Sequence, residues 1–140
     1  MKLLLSLFFI LMYLHVYTQT LDWQQTSHWK VYKIHRSGSL NLPVDSLQQY
    51  PHMDLGDDSV HYYVKGIKML PKDQTAAWMG EYIATYEFGQ RIRKIDISVY
   101  GGFFFDEVSK QYFELLEPLR EDWLAFLRRT LEQMSNKAAH

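Results

Sequence analysis

The hydrophobic pattern changes period along the chain, and each change marks a different kind of segment. Leu3 to Leu14 is a nearly unbroken apolar run behind Met1-Lys2, followed by small and polar residues around Val16, Thr18 and Gln19. A short basic start, an apolar core of about a dozen residues and a small-residue cleavage site are the layout of a secretory signal peptide. The expectation is a signal peptide over residues 1–18, cut between Thr18 and Gln19, and one compact α+β domain over residues 19–140. A retained anchor is the alternative. A spanning helix needs roughly 20 apolar residues, and His15, Thr18, Gln19 and Asp22 interrupt the run too soon.

The first half of the domain predicts one strand and two short helices. His28 to His35 reads as a strand, with Trp29 and Val31 on one face and Lys30, Tyr32 and Ile34 on the other. Ser37-Gly38-Ser39 is a turn signal. Pro43 to Tyr50 predicts a short helix, since proline suits a first helical position, and Pro51 ends it. Asp57-Asp58-Ser59 offers capping oxygens to a second helix whose apolar residues Val60, Tyr63, Val64 and Ile67 follow the i, i+3, i+4, i+7 spacing. The competing reading of that segment is a strand with Val60, Tyr62 and Val64 on one face.

The second half alternates strictly. From Trp78 to Phe88, Tyr82, Ala84, Tyr86 and Phe88 share one face, and Glu81, Ile83, Thr85 and Glu87 share the other. Gly89-Gln90 fits a tight hairpin turn. In the return strand, Arg91 to Tyr100, Ile92 is out of phase with Ile95, Ile97 and Val99; a bulge near Arg93-Lys94 would restore the register. Gly101-Gly102 predicts a bend or a close backbone approach before Phe103-Phe104-Phe105, and Gln111 to Leu115 follows as a further strand. Pro118 opens a last helix whose apolar stripe is Leu119, Trp123, Phe126, Leu127, Leu131 and Met134. The fold expected is an antiparallel β-meander of about 4 strands, with a C-terminal amphipathic helix packed on one face and two short helices before the main hairpin.

Composition narrows the function classes. The chain has no cysteine, so an exported domain gains no disulfide framework and no lipid-bearing cysteine, and packing alone carries its stability. The formal charge of −1 becomes −2 once Lys2 leaves with the signal segment. The one basic cluster, Arg91, Arg93 and Lys94, is short, which argues against a nucleic-acid-binding surface. The expected location is periplasmic or secreted, with no stable membrane anchor after cleavage. The expected partner is a protein or small ligand, with no nucleic acid and no cofactor.

Candidate chemistry falls in three places. His52, Asp54, Asp57, Asp58 and His61 supply imidazole and carboxylate within ten residues; a metal set of His52, Asp54, Asp57 and His61 would suit Zn²⁺. Two of these carboxylates equally suit a helix N-terminus. Glu81 and Glu87 share a strand face but stand roughly 20 Å apart, too far for a glycosidase pair. No serine lies in a G-x-S-x-G context. The third place is the aromatic segment Tyr100, Phe103, Phe104, Phe105, Tyr112 and Phe113. Three consecutive phenylalanines on a strand cannot all point into one core, so either both faces are covered or one presents an aromatic surface. Tyr100, Phe103, Phe104, Phe105 and Tyr112 are the expected binding surface of a non-enzymatic interaction domain. A small metal-dependent hydrolase using the His52–His61 segment is an alternative, as is an inhibitor or immunity-type protein using the acidic loop from Asp54 to Asp58.

Overall fold

The computed structural model describes residues 21–34, 42–71, 81–98 and 101–137. A 3₁₀ turn, Trp23–Gln25, leads into β1 (Thr26–Tyr32); a second, Val44–Gln49, precedes β2 (His52–Asp54). Helix α1 (Asp57–Val64) and β3 (Ile67–Met69) follow. Then come β4 (Glu81–Phe88), β5 (Arg91–Ser98), β6 (Phe103–Asp106), β7 (Gln111–Leu115) and the long helix α2 (Leu119–Lys137). Among the described residues, the strands form one seven-stranded antiparallel sheet in the order β2-β1-β4-β5-β6-β7-β3.

The expected α+β class and C-terminal helix are present, but the sheet has seven strands rather than about four. The meander β4 to β7 is its centre. Strand β1 extends it on one side, and the three-residue strands β2 and β3 form the borders. Three residues are too few to show a period, so neither border strand is visible as alternation. Ile67, expected as a helical residue, belongs to β3: the helix stops at Val64, and Lys65-Gly66 turns the chain into the sheet. The N-cap of α1 is Gly56, with φ +74°, and Asp57 and Asp58 occupy its first turn, where carboxylates suit the helix dipole. Pro43 caps a 3₁₀ turn rather than opening an α-helix.

The two faces of the sheet differ. Trp29, Val31, Ala84, Tyr86, Phe88, Ile95, Ile97, Phe104, Phe113 and Leu115 form one buried cluster with Trp123, Leu127, Leu131 and Met134 of α2 and Val60 and Val64 of α1. The four α2 residues recur at helical spacing on one side of the helix, with Phe126 of the expected stripe partly buried against them. Burying a side chain such as Phe104 contributes about 1.5–3 kcal/mol. The opposite face carries a smaller cluster of Tyr32, Ile34, Leu47 and Ile83 under the Val44–Gln49 turn, with Leu42 and Tyr50 against it.

The expected bulge near Arg93-Lys94 is absent. β4 and β5 pair without interruption from Glu81↔Ser98 to Phe88↔Arg91, and Ile92 simply faces out, 54% exposed. The irregularity lies in β1, between Ser27 and Lys30, where His28 adopts φ +52°. The extra residue turns both Thr26 and Trp29 inward.

Candidate functional site

The face turned away from the helices holds the chemistry. Cross-strand register aligns His52, Tyr32, Ile83, Asp96, Phe105 and Tyr112 in one row across six strands, because directly opposed residues share a face. Aromatic pairs stand at its two ends: Tyr32 and His52 with ring centres 5.3 Å apart, Phe105 and Tyr112 at 4.6 Å. Lys110 Nζ lies 6.0 Å over the Phe105 ring. The neighbouring row, Asp54, Lys30, Thr85 and Lys94, is polar throughout. Thr85 Oγ1 donates to the Tyr32 hydroxyl oxygen at 3.3 Å.

The middle of this face is buried although it is polar. Thr85, Lys94, Asp96 and Ser98 are all buried. Lys94, 8% exposed, donates from Nζ to the Leu42 carbonyl oxygen at 3.0 Å and pairs with Glu107 Oε2 at 3.0 Å. Ser98 Oγ accepts from the Gly101 amide at 3.0 Å. Buried polar groups are stable only when such bonds are made.

The expected aromatic surface divides across the sheet. Phe104 is fully buried in the main core, beside Trp123 at 5.4 Å and Trp23 at 5.8 Å. Phe103, Phe105 and Tyr112 are half-buried on the opposite face. Tyr100 lies outside the described residues. Phe104 is therefore a core residue, because alternation sends it inward between two outward neighbours.

The expected metal residues are not brought together. His52 and Asp54 lie exposed on border strand β2, and Asp57 and His61 on α1. Both side chains of the helix pair are engaged with the backbone of β1. Asp57 Oδ1 accepts from the Trp29 amide at 3.2 Å, and His61 donates from Nε2 to the Thr26 carbonyl oxygen at 2.7 Å. His52 Nδ1 donates to the Tyr50 carbonyl oxygen at 3.2 Å. Among the described residues, no group of three or more such side chains could hold a metal ion. The acidic stretch is a border strand and a helix start, not a free loop. Glu87 pairs with His28 at 3.2 Å on the surface.

Sequence reasoning missed an open cleft of about 490 Å³ where the start of β5 meets the β6–β7 turn and the lead into the second 3₁₀ turn. Its lining includes Leu42, Val44, Arg91, Ile92, Lys94 and Glu107. The short basic cluster is visible in the sequence. Its carboxylate partner thirteen residues further on is not, since only the β5–β6 pairing brings that turn beside Lys94.

Inside the main core, the Tyr86 hydroxyl is buried, with the Arg93 guanidinium of the facing strand beside it. Burial pushes its pKa well above the usual tyrosine value, and the Asp106 carboxylate adds to the shift; the Arg93 guanidinium opposes it and does not win. Among the described residues, no helix is long and apolar enough to cross a membrane. Compared with protein-family models, with curated proteins and with solved structures, the chain gives no match.

Proposed function

We propose that the mature chain is an exported, non-enzymatic binding domain that recognises its partner with the sheet face opposite the helices, centred on Phe105 and Tyr112. The carrying observation is that pair of tilted rings, half-buried at 4.6 Å on the face that neither helix covers. Tyrosine and phenylalanine are favoured where a contact surface must bury large area at low entropic cost. Lys110 over the Phe105 ring adds a positive rim to the patch. The apolar run over residues 3–14 supports export.

The test is in-cell cross-linking from a photo-reactive phenylalanine analogue installed at Phe105, compared with the same analogue at Arg128 on the exposed side of α2. One stoichiometric product from the first site and none from the second is the expected result. Equal or absent products from both sites would remove the proposal. Export is read separately: an intact mass of the exported chain that retains Met1 would exclude cleavage.

A further inference from the structure

We infer that border strand β3 is a docking edge for an extended peptide segment in which apolar and acidic residues alternate. The ladder between β3 and β7 gives the backbone half of the site. Leu116 donates its amide to the Gly66 carbonyl oxygen at 3.2 Å, and Leu70 donates to that of Tyr112 at 3.0 Å. The register pairs Lys68 with Glu114 midway between them. Hydrogen-bonded pairs alternate along an antiparallel ladder. Gly66, Lys68 and Leu70 therefore bond toward β7, and Ile67 and Met69 turn their N–H and C=O groups to the other side. Among the described residues, no strand lies there. Such an edge accepts a further strand, whose backbone bonds supply affinity.

The side chains along this edge give the character of the segment. Ile67 and Met69 stand opposite the core residues Leu115 and Phe113, so they share the helix-covered face. Met69 is 59% exposed, apolar surface at the rim of the core. An added strand lays alternate residues beside these two, and apolar ones close the row. Lys68 lies on the opposite face and is exposed. From Ser59 to Pro71 the chain holds two lysines, Lys65 and Lys68, and no carboxylate. The carboxylate across from Lys68, Glu114, pairs with Arg120 at 3.5 Å. The residues that an added strand sets beside Lys68 are therefore acidic. Two copies meeting β3 to β3 would oppose their lysines, and like charges directly opposite are unfavourable, so a foreign segment suits the edge better than a second copy. The site uses neither Phe105 nor Tyr112, so each reading can fail without the other.

The experiment is a ¹⁵N-resolved NMR titration of the mature chain with three capped peptides: Glu-Val-Glu-Val-Glu, its charge reversal Lys-Val-Lys-Val-Lys, and Glu-Glu-Glu-Val-Val, which keeps the composition and loses the alternation. Saturable shifts centred on the amides of residues 66–70, with a Kd for the first peptide at or below about 1 mM, are expected. The other two bind at least about tenfold more weakly. Hydrogen exchange slows on docking at the amides of Ile67 and Met69, and is unchanged at Lys68, whose amide already bonds to β7. Lys68→Gln, an exposed change that leaves the spectrum dispersed, weakens the first peptide about twofold or more. Equal binding of the three peptides, shifts centred elsewhere, or no saturable shift with the first overturns the assignment. So do the same shifts on concentrating the chain alone, which would make a second copy the occupant.

Discussion

Trp29 donates from Nε1 to Thr26 Oγ1 at 2.8 Å, deep in the core, although the two residues sit three apart on one strand. A regular strand would turn them to opposite faces. The bulge at His28 brings both inward, and Thr26 Oγ1 then donates onward to the Trp23 carbonyl oxygen at 2.7 Å. This chain of bonds fixes Trp23, which stacks on Trp29 at 6.2 Å and meets Phe113 edge-on at 5.1 Å.

Thr26→Val keeps the shape and removes both bonds. It leaves the indole N–H of Trp29 buried and unmatched, a loss of about 1–3 kcal/mol. Thr26→Ser keeps the hydroxyl and costs less. Urea unfolding of the two variants checks the order; equal midpoints would show that the hydroxyl contributes nothing.

Adjacent phenylalanines respond very differently to truncation. Phe104→Ala opens a cavity in the main core and costs about 3–5 kcal/mol. Phe105→Ala removes a half-buried ring from the outer face and costs about 1 kcal/mol, while weakening the proposed partner contact. Thermal melts of both variants, with the Phe105 variant carried into the cross-linking assay, separate packing from recognition.

Tyr86 makes alkaline stability testable. Its proton is held more tightly in the folded state, where the pKa is raised above 10.0, than in the unfolded chain. Below about pH 10 both states keep the proton, and stability does not depend on this group. Above that, the unfolded state releases the proton first, so stability falls as pH rises. Tyr63 is shifted in the same direction by burial and by Asp122. Tyr86→Phe removes the buried hydroxyl that stands beside the Arg93 guanidinium and flattens the loss above pH 10. Denaturant midpoints from pH 7 to 11 decide, and a Phe variant with an unchanged alkaline loss would assign that loss to other groups.

Two glycines with positive φ carry different burdens. Gly89 has φ +64° with open space where a Cβ would stand, and Gly102 has φ +65° with Arg120 Cγ only 2.7 Å from that position. Gly102→Ala combines backbone strain with displacement of an arginine that pairs with Glu114 and Glu117, for a loss of about 1–2 kcal/mol or more. Gly89→Asn stays within about 0.5 kcal/mol, since asparagine tolerates this region. Comparing the two by chemical denaturation checks the ranking.

The central meander and the last helix are legible in the sequence because their elements are long enough to show a period. Tyr82, Ala84, Tyr86 and Phe88 alternate cleanly and face the core as expected, and the stripe through Trp123, Leu127, Leu131 and Met134 packs on them. Ile92 looks misplaced in the pattern and so points to a bulge at Arg93-Lys94, but one exposed isoleucine costs little and distorts nothing. The real bulge at His28 leaves no pattern, since Thr26 is small, polar and ordinary in a strand. Composition ranks Phe103, Phe104 and Phe105 alike. Only the roofing of one face by helices separates Phe104 from its two neighbours. The Lys94–Glu107 pair is hidden for a different reason: its partners meet through a turn whose position depends on register, not on local spacing.

The sheet keeps its longest strands inside. β4 and β5, eight residues each, have neighbours on both sides, while the borders are the three-residue β2 and β3. Among the described residues, a second molecule arriving at either border finds three residues of unpaired backbone to copy, with His52 and Asp54 on one and Lys68 on the other. Short, charged borders are a poor template for edge-to-edge growth. These described borders are therefore a weak seed for fibres, and the central hairpin, stripped of its neighbours, a stronger one.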